Sequence, residues 1–222
     1  MTGAVDAAVA AFATAPRGVR AHVAVRRRTC PLAEIEARVP RAGRVLDLGC
    51  GHGLLSLVLA LAGPERRVHA VDVDADKLVH ARRAVAAAGL AHVEVEDADA
   101  SSVPEGPWDA VVVNDVLYLL GAARATALLG ALAETLAPGG ALLVKEIDVR
   151  PRWKFELARA QELVSTRVTR ITEGETVEFV PPDRIAGAMR AAGLEVTHVP
   201  LHRGRLHPHH LVVGRVPGTG SA

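Results

Sequence analysis

The chain has 222 residues, of which 50% are hydrophobic and 23% are charged, and its formal net charge is +1. This length and apolar content predict one globular domain with a sizeable core. The small net charge and an aromatic content of 3% argue against a nucleic-acid-binding protein, which needs a basic surface or rows of base-stacking rings.

Targeting signals and cysteine usage also limit the function classes. We find no run of the roughly 18 apolar residues that a membrane span needs. The N-terminus lacks the basic start of a signal peptide. The two cysteines, Cys30 and Cys50, make neither a disulfide framework nor a zinc site. We therefore expect a cytoplasmic protein.

Apolar runs and turn signals alternate along the first two thirds of the chain. Residues 1–40 are predicted to be helical and to precede the sheet. Strands are predicted at 44–49, 67–74, 92–99, 108–115 and 141–148, with helices at 53–63, 75–89 and 123–140. Continuously apolar strands with short connections are typical of a parallel sheet covered by helices on both faces.

The C-terminal third departs from this alternation. A helix is predicted at 153–167, followed by a candidate strand in TEGETVEF (172–179). Another helix, at 181–193, begins with proline and ends with glycine. The strands predicted at 194–202 and 209–216 are too close for a parallel crossover, so we expect an antiparallel hairpin.

The stretch VLDLGCGHGLLS (45–56) joins the first strand to the next helix through three alternating glycines. A phosphate-binding P-loop would end in Gly-Lys-Ser/Thr, whereas Gly53 precedes two leucines. A dinucleotide loop would read G-x-G-x-x-G, and Asp47 would repel its pyrophosphate. The same acid would attract the ammonium and sulfonium groups of S-adenosylmethionine (SAM). The loop therefore favours SAM.

A second acid, Asp72, lies at the C-terminal end of the second predicted strand. A carboxylate in that position binds ribose hydroxyls in nucleoside-binding sheets. The alternative is that Asp72 caps the following helix, although Asp74 and Asp76 are better placed to do so. This acid therefore also favours a nucleoside ligand.

Four segments, taken together, resemble the class I (Rossmann-like) SAM-dependent methyltransferases. They are VLDLGCGHG (45–53), VDVD (71–74), EDADASSVPEGPWDAVVVNDVLYLL (96–120) and LAPGGALLVKE (136–146). The segments occur in the order and spacing of that family and span about half of the chain. The resemblance implies a three-layer α/β fold whose seven-stranded, mostly parallel sheet has the order 3-2-1-4-5-7-6 and a C-terminal antiparallel strand pair.

The resemblance also implies how the chain is organised. Residues 1–222 form a single SAM-binding methyltransferase domain. Within it, residues 1–40 form a helical N-terminal cap, and residues 149–180 form a variable insertion over the acceptor site. These two segments are the natural lid of the site.

The resemblance further implies a set of cofactor-binding residues. They are Asp47, Gly49, Cys50, Gly51, Gly53, Asp72, Val73, Asp99, Ala100 and Asn114. The glycines approach the methionine part of SAM, Asp47 orients it, and Asn114 offers its backbone carbonyl to the amino group. For Cys50, simple packing of a small side chain is the alternative.

The nucleoside half of SAM has its own implied contacts. Asp72 binds the ribose, and Val73 lies against the adenine. Asp99 accepts a hydrogen bond from the adenine amino group, with the Ala100 N–H nearby. The run of acids at 96–99 leaves Asp97 as an alternative to Asp99.

Histidines are expected to gather at the carboxyl edge of the sheet, where ligands of open α/β sheets bind. The sixth strand ends at His202, and the antiparallel last strand begins at His207, His209 and His210. His209 or His207, ahead of His202, is the candidate general base for methylation at oxygen or nitrogen. Zinc binding does not fit this spacing well, and surface or capping roles are the other alternative. Alternation sends His209 and His210 to opposite faces.

Methyl transfer needs little beyond in-line positioning, which can supply about 7–11 kcal/mol. We therefore expect no catalytic triad. Asp115 and Tyr118 follow the fourth strand, where the acceptor of this family often lies. Asp115 would accept a proton or hold a substrate amine, and Tyr118 would orient an oxygen. Structural roles are the alternative for both.

Basic side chains occur in both segments that are expected to cover the site. They are Arg17, Arg20, Arg26–Arg28, Arg150, Arg152 and Lys154. If several converge, the acceptor is anionic. The alternative for Arg26–Arg28 is a solvated helix face or a contact for an acidic partner.

The sequence thus predicts an enzyme that methylates an oxygen or nitrogen of a small-molecule acceptor and releases S-adenosylhomocysteine (SAH), without a metal, a nucleic acid or a membrane. The second hypothesis is a protein of the same fold that binds SAM without transferring methyl, assisting a cyclisation or sensing a ligand. A dinucleotide-dependent oxidoreductase is disfavoured by Asp47 and the glycine spacing. DNA is disfavoured because Asn-Asp-Val-Leu (114–117) lacks the Pro-Pro-Tyr/Phe signature.

Overall fold

The computed structural model describes residues 2–98, 103–147, 179–201 and 209–218. The elements in chain order are α1 (Thr2–Ala10), α2 (Arg17–Thr29), α3 (Leu32–Glu36), β1 (Ala42–Leu48), α4 (Leu54–Ala62), β2 (Glu65–Asp72), α5 (Ala75–Ala87), β3 (Val93–Asp97), β4 (Trp108–Asn114), a 3₁₀ turn (Leu117–Leu119), α6 (Gly121–Glu134), β5 (Leu136–Ile147), α7 (Pro182–Ala191), β6 (Glu195–Pro200) and β7 (His209–Arg215). No helix in these ranges has the length and apolarity needed to cross a membrane.

Seven strands of the described chain form one sheet, in the order β3-β2-β1-β4-β5-β7-β6. Strands β1 to β5 pair in parallel. β7 runs antiparallel to both β5 and β6. The predicted α/β fold, the C-terminal antiparallel pair and the implied strand order are confirmed. Because two antiparallel steps restore direction, β6 ends on the same edge as β1 to β5.

Helices cover both faces of the sheet. Successive side chains of the central strands therefore pack into two separate hydrophobic clusters, one on each face. Val112 of β4 packs on the face that carries α1 to α4. Val111 and Val113 pack on the opposite face, against α6 and α7. A strand buried on both faces reads as a continuous apolar run, which explains the pattern at 110–113.

The N-terminal helices are joined to the sheet by a buried arginine. Arg66 of β2 has no exposed surface. Its guanidinium donates to the carbonyl oxygens of Leu59 at 2.7 Å, Val39 at 2.8 Å and Pro40 at 2.6 Å. It also pairs with Glu36 of α3 at 3.0 Å. The segment around α3 is thereby attached to β2 and α4.

The helix predicted at 123–140 is wrong at its C-terminal end. α6 ends at Glu134, and residues 136–140 begin β5. Leu136 pairs with Trp108 of β4, and the register shifts before Ala110. A Cβ on Gly140 would lie 2.8 Å from the carbonyl oxygen of Trp108. The backbone of this segment therefore lies close against β4, and a helix cannot occupy that place.

Two further predictions lie outside the described residues. They are the helix at 153–167 and nearly all of the candidate strand at 172–179. The helix predicted at 181–193 is present as α7, and the last two strands are β6 and β7. The hairpin expectation is therefore confirmed at its two strands.

Candidate active site

The glycine loop connects the carboxyl end of β1 to α4 in a left-handed backbone conformation. Gly49, Gly51 and Gly53 have φ values of 75°, 57° and 79°. The amides of Gly49 and Cys50 both donate to the Val71 carbonyl of β2, at 2.8 and 3.0 Å. Glycine adopts such φ values without steric cost, so the loop can make its tight turn beside β2.

The three glycines differ in what lies next to them. A Cβ on Gly49 would lie 2.3 Å from the Val116 side chain, and one on Gly53 would lie 3.0 Å from Ala81. A Cβ on Gly51 would meet nothing closer than Lys77, at 4.0 Å. Gly49 and Gly53 are therefore packed tightly against protein, whereas a Cβ on Gly51 would make only an ordinary contact with the flexible Lys77 side chain. Gly51 is where a ligand can approach the backbone.

Asp72 bridges the end of β2 to this loop. Its Oδ2 accepts a hydrogen bond from the Gly51 amide at 2.7 Å, and its Oδ1 accepts from the Asp74 amide at 2.9 Å. Asp74 caps α5 by accepting from the Lys77 amide at 3.1 Å. Asp74 is therefore the cap, and Asp72 is left beside the open loop. Between them, the apolar side chain of Val73 is 62% exposed.

Asp47 places a second carboxyl group under the same loop. It is 1% exposed, and its Oδ2 accepts a hydrogen bond from Ser56 Oγ at 2.5 Å. Burial, together with the negative charge of Asp72, raises the pKa of Asp47 to about 6 despite the Ser56 hydrogen bond. The charge of Arg26 offsets part of this rise, and two carboxyl groups beside one loop still favour a positively charged ligand.

The Cys50 thiol is not a nucleophile in this setting. Burial and the charges of Asp47 and Asp72 raise the pKa of the thiol well above its usual range. The Sγ atom lies 3.7 Å from the Gly51 carbonyl oxygen. A thiol that stays protonated has a packing role in the loop.

A buried ionic cluster lies at the carboxyl ends of β4 and β5. Asp115 accepts hydrogen bonds from Lys145 Nζ at 2.6 and 2.7 Å and from Arg26 Nη1 of α2 at 2.6 Å. Although burial alone would raise it, Lys145 and Arg26 hold the pKa of Asp115 below its usual range. Asp115 is therefore ionised at neutral pH, and the pairing makes it a weak proton acceptor.

The C-terminal end of α2 covers this edge through two more contacts. His209 Nε2 donates to the Thr29 carbonyl oxygen at 2.7 Å. Cys30 Sγ donates to Asn114 Oδ1 at 3.6 Å. With the Arg26 pair, these contacts attach one helix end to β4 and β7. None of these contacts of α2 was predicted from the sequence.

Glu146 is a second buried acid at the end of β5, and the sequence analysis missed its role. It is 1% exposed, and its Oε1 accepts from the amides of Val116 at 3.0 Å and Leu117 at 2.7 Å. Burial, together with the charge of Asp115, raises the pKa of Glu146 to about 8. The available signal was a pair of charged residues, Lys145 and Glu146, ending an otherwise apolar strand.

The histidines of β7 are buried and face different surroundings. His209 contacts α2, and its Nε2–H donates to a carbonyl, so only Nδ1 of a neutral ring can accept a proton. His210 lies opposite Glu146 of β5 in the sheet register, and its ring lies edge-on to that of His198, with 5.7 Å between the ring centres. Burial lowers the pKa of His210 to about 3. His202 and His207 lie outside the described residues.

Three other histidines, not assigned from the sequence, line up beside the glycine loop. The His52 ring of the loop lies 4.7 Å from that of His22 on α2 and 6.0 Å from that of His80 on α5. Burial, with the charge of Lys77, lowers the pKa of His52 to about 4. The described residues hold no group of three or more His, Cys, Asp or Glu arranged to bind a metal ion.

The other predicted site residues are dispersed. Tyr118 is 5% exposed, and its ring stacks on Phe179 at 5.6 Å. Arg27 pairs with Asp6 on the surface at 2.6 Å. Arg17 and Arg20 line a groove between α1 and α2. Besides His202 and His207, five predicted residues lie outside the described parts of the chain: Asp99, Ala100, Arg150, Arg152 and Lys154.

Comparison with known proteins places these features in a family. A family model described as a methyltransferase domain matches residues 22–199. A trans-aconitate 2-methyltransferase from Methylobacterium nodulans is 41% identical over 124 residues, which are 54% of this chain and 45% of that protein. A ubiquinone biosynthesis O-methyltransferase from Xanthomonas axonopodis pv. citri is 33% identical over 171 residues, 74% of this chain and 68% of that protein.

A solved structure of an O-methyltransferase family protein from Burkholderia thailandensis has the same fold. It superposes with a TM-score of 0.66 at 26% identity, covering 83% of this chain and 53% of that chain. The chain therefore spans about half the length of that protein and of the trans-aconitate relative.

Proposed function

The chain belongs to the class I family of SAM-dependent methyltransferases, and we propose that it transfers the methyl group of SAM to an oxygen or nitrogen of a small-molecule acceptor. The observation that carries the proposal is the open glycine loop between two carboxyl groups. Gly51 has only the end of the flexible Lys77 side chain near its Cβ position, with Asp72 hydrogen-bonded to its amide and Asp47 buried beneath.

The charges of this site fit SAM better than a phosphate-bearing cofactor. SAM carries an ammonium and a sulfonium group, and it has no phosphate. The raised pKa of Asp47 reflects burial and its repulsion from Asp72, both of which a cationic ligand would offset. A pyrophosphate in the same place would add negative charge to two acids. The residues present therefore support SAM.

The contacts predicted for Asp47, Asp72 and Val73 have a physical basis in the described residues. When bound, SAM supplies an electrophilic methyl group on its sulfonium. Asp47 would attract the ammonium group. Asp72, which accepts hydrogen bonds from backbone amides in this structure, would accept them from the ribose hydroxyls when SAM is bound. The exposed Val73 side chain offers an apolar surface for adenine. The contacts proposed for Asp99 and Ala100 with adenine, and for Asn114 with the amino group, complete the set.

The ionic cluster supports an acceptor that carries negative charge. Two cations, Arg26 and Lys145, both pair with Asp115 at this edge of the sheet. Arg26 is still 29% exposed, so its guanidinium can also contact a ligand. The names of the two relatives refer to trans-aconitate and to O-methylation in ubiquinone biosynthesis. We therefore favour a small, anionic acceptor that is methylated at oxygen.

Methylation at a protonated oxygen or nitrogen requires that the acceptor lose a proton. We propose His209, through Nδ1, or His207 as the group that removes it. Asp115 is engaged by two cations, which favours a role in holding Lys145 and Arg26 in place. Tyr118 is packed on Phe179 and would orient an acceptor oxygen only from that position.

The first experiment is calorimetric titration of the protein with SAM, SAH and NAD. SAM and SAH should bind and NAD should not. Replacement D72A should weaken SAM binding about tenfold or more, equivalent to about 1.4 kcal/mol. The matched control is D76A, which removes an exposed acid from the first turn of α5. Binding of NAD, or of none of the three, would contradict the proposal.

Methyl transfer itself is tested by SAH release in the presence of acceptors. We expect SAH to form with small carboxylic or phenolic acceptors and to depend on Asp72. SAM binding without SAH release from any of a broad acceptor panel would instead favour the second hypothesis, a SAM-binding protein that does not transfer methyl.

A further inference from the structure

Two consecutive residues at the end of β5 hold the turn that follows β4. The main-chain carbonyl of Lys145 accepts from the Asp115 amide at 2.9 Å, and its ammonium group binds the Asp115 carboxylate. Glu146 accepts from the next two amides, those of Val116 and Leu117. Since neighbouring strand residues point to opposite faces of a sheet, β5 holds the turn from both sides.

The turn adopts a backbone conformation that needs such support. Asp115 has a φ of 60°, and it is the non-glycine residue with positive φ in the described chain. A left-handed conformation is unfavourable for a residue with a Cβ, although aspartate tolerates it better than most. The hydrogen bonds on either side of Asp115 offset that cost. Without Glu146, the amides of Val116 and Leu117 would be buried without acceptors.

The same turn forms one wall of the glycine loop. The Val116 side chain lies where a Cβ on Gly49 would be, only 2.3 Å from that position. Val116 is 8% exposed, and its neighbour Leu117 is fully buried. A displacement of Val116 would therefore change the space that Gly49 can occupy. Val116 thus connects Glu146 to the glycine loop, because its amide binds Glu146 and its side chain lies against Gly49.

A neutral carboxyl group suits this position. The pKa of Glu146 is raised to about 8 by burial and by the charge of Asp115, so the group is largely neutral at pH 7. A neutral group adds no second negative charge beside Asp115. One carbonyl-type oxygen can still accept from both amides, as Oε1 does here.

We propose that Glu146 is a positioning residue, which fixes the Asp115–Leu117 turn and through Val116 sets the shape of the SAM-binding glycine loop. The proposal rests on the proposed function only for the identity of the bound ligand. It predicts that the turn and the ligand affinity depend on a hydrogen-bond acceptor at position 146, and that they do not depend on that group being an acid.

The test uses E146A, E146Q, E146D and the control E195Q, which replaces an exposed glutamate on β6. Hydrogen–deuterium exchange is measured without ligand over residues 114–119. E146A should speed exchange there by about tenfold or more, whereas E146Q and E195Q should match the wild type. E146D keeps the acid but has a shorter side chain, so it should behave like E146A. It also stands in for E146A if that variant does not fold.

Calorimetry with SAH gives the second readout. E146A and E146D should bind SAH about tenfold more weakly than the wild type, and E146Q should restore most of the affinity. Unchanged exchange at 114–119 in folded E146A or E146D, or E146Q behaving like E146A, would overturn the positioning role. A wild type that does not bind SAH would instead contradict the proposed function, while the exchange data would still decide the role of Glu146.

Discussion

At the scale of single residues, the buried Asp47 carboxyl makes a pH-dependent prediction. Its pKa of about 6 describes the free site, and a cationic ligand favours the ionised form. Below pH 6 the carboxyl must lose a proton before the ligand binds, so affinity falls as the pH falls. A ligand α-amino group stays protonated across this range.

We therefore expect SAM to bind about tenfold more weakly at pH 5 than at pH 7, since one pH unit below the pKa leaves about a tenth of the carboxyl ionised. Calorimetry at both pH values measures the change. The control is D47N, which should bind weakly and with a flat pH dependence. A wild-type affinity that is equal at pH 5 and 7 would show that Asp47 does not contact the cationic part of the ligand.

Gly51 makes a second residue-scale prediction, because it combines positive φ with room for a Cβ, whose nearest neighbour would be Lys77 at 4.0 Å. G51A should lower the free energy of unfolding by about 1–2 kcal/mol, the cost of a left-handed alanine. It should also weaken SAM binding by about tenfold or more, because the methyl group would occupy the ligand's approach. Urea unfolding and calorimetry measure the two effects.

The matched control is G89A. Gly89 has a φ of 65°, and a Cβ there would meet nothing within 4 Å. G89A should therefore destabilise the chain as much as G51A and leave SAM binding unchanged. If both variants lost affinity equally, the loss would come from stability and the loop assignment would fail.

At the scale of elements, the end of α2 is attached to the sheet by Arg26, Thr29 and Cys30. R26A should destabilise the protein by about 1.5 kcal/mol, the lower limit for a hydrogen bond to a charged group, because Asp115 keeps Lys145. Amide exchange over residues 22–29 should become faster. An acceptor, once identified, should show a raised KM.

R27A provides the comparison on the same helix. Arg27 pairs with Asp6, and both side chains are at least half exposed. R27A should change the free energy of unfolding by no more than about 0.5 kcal/mol relative to the wild type. Amide exchange in α2 should stay unchanged. Equal behaviour of R26A and R27A would mean that the Arg26–Asp115 pair does not hold α2 at the sheet edge.

At the scale of the whole molecule, Arg66 connects the N-terminal helices to the core. R66A would leave Glu36 buried without its buried partner and would remove the donor from three carbonyl groups. Breaking a buried pair in this way costs about 3–5 kcal/mol. Urea unfolding should show this loss, and folded R66A should still bind SAM.

R41A is the control, because Arg41 also pairs with Glu36 but is 65% exposed. We expect its loss to cost about 1 kcal/mol or less. If R66A and R41A were equally stable, the buried guanidinium would not be what joins α3 to β2 and α4.

The α/β class, the order of the strands along the chain up to residue 147 and the glycine loop between two acids could all be predicted from the sequence. These features are local, since a strand shows as a continuous apolar run and a left-handed turn shows as glycine. The short link after residue 200 was enough to predict the antiparallel β6–β7 pair, which the register confirms. The roles of Asp47 and Asp72 at the loop remain predictions with a supporting geometry.

Tertiary structure decided what depends on neighbours that are distant in the chain. α6 ends at Glu134 because Leu136 already pairs with Trp108 of β4, which no helical pattern reveals. Arg26 meets Asp115 across 89 positions, and Glu146 meets Val116 across 30. The sequence does not show whether a charged side chain is solvated or buried. Only the folded sheet edge removes water from these groups, and burial then sets their partners and pKa values.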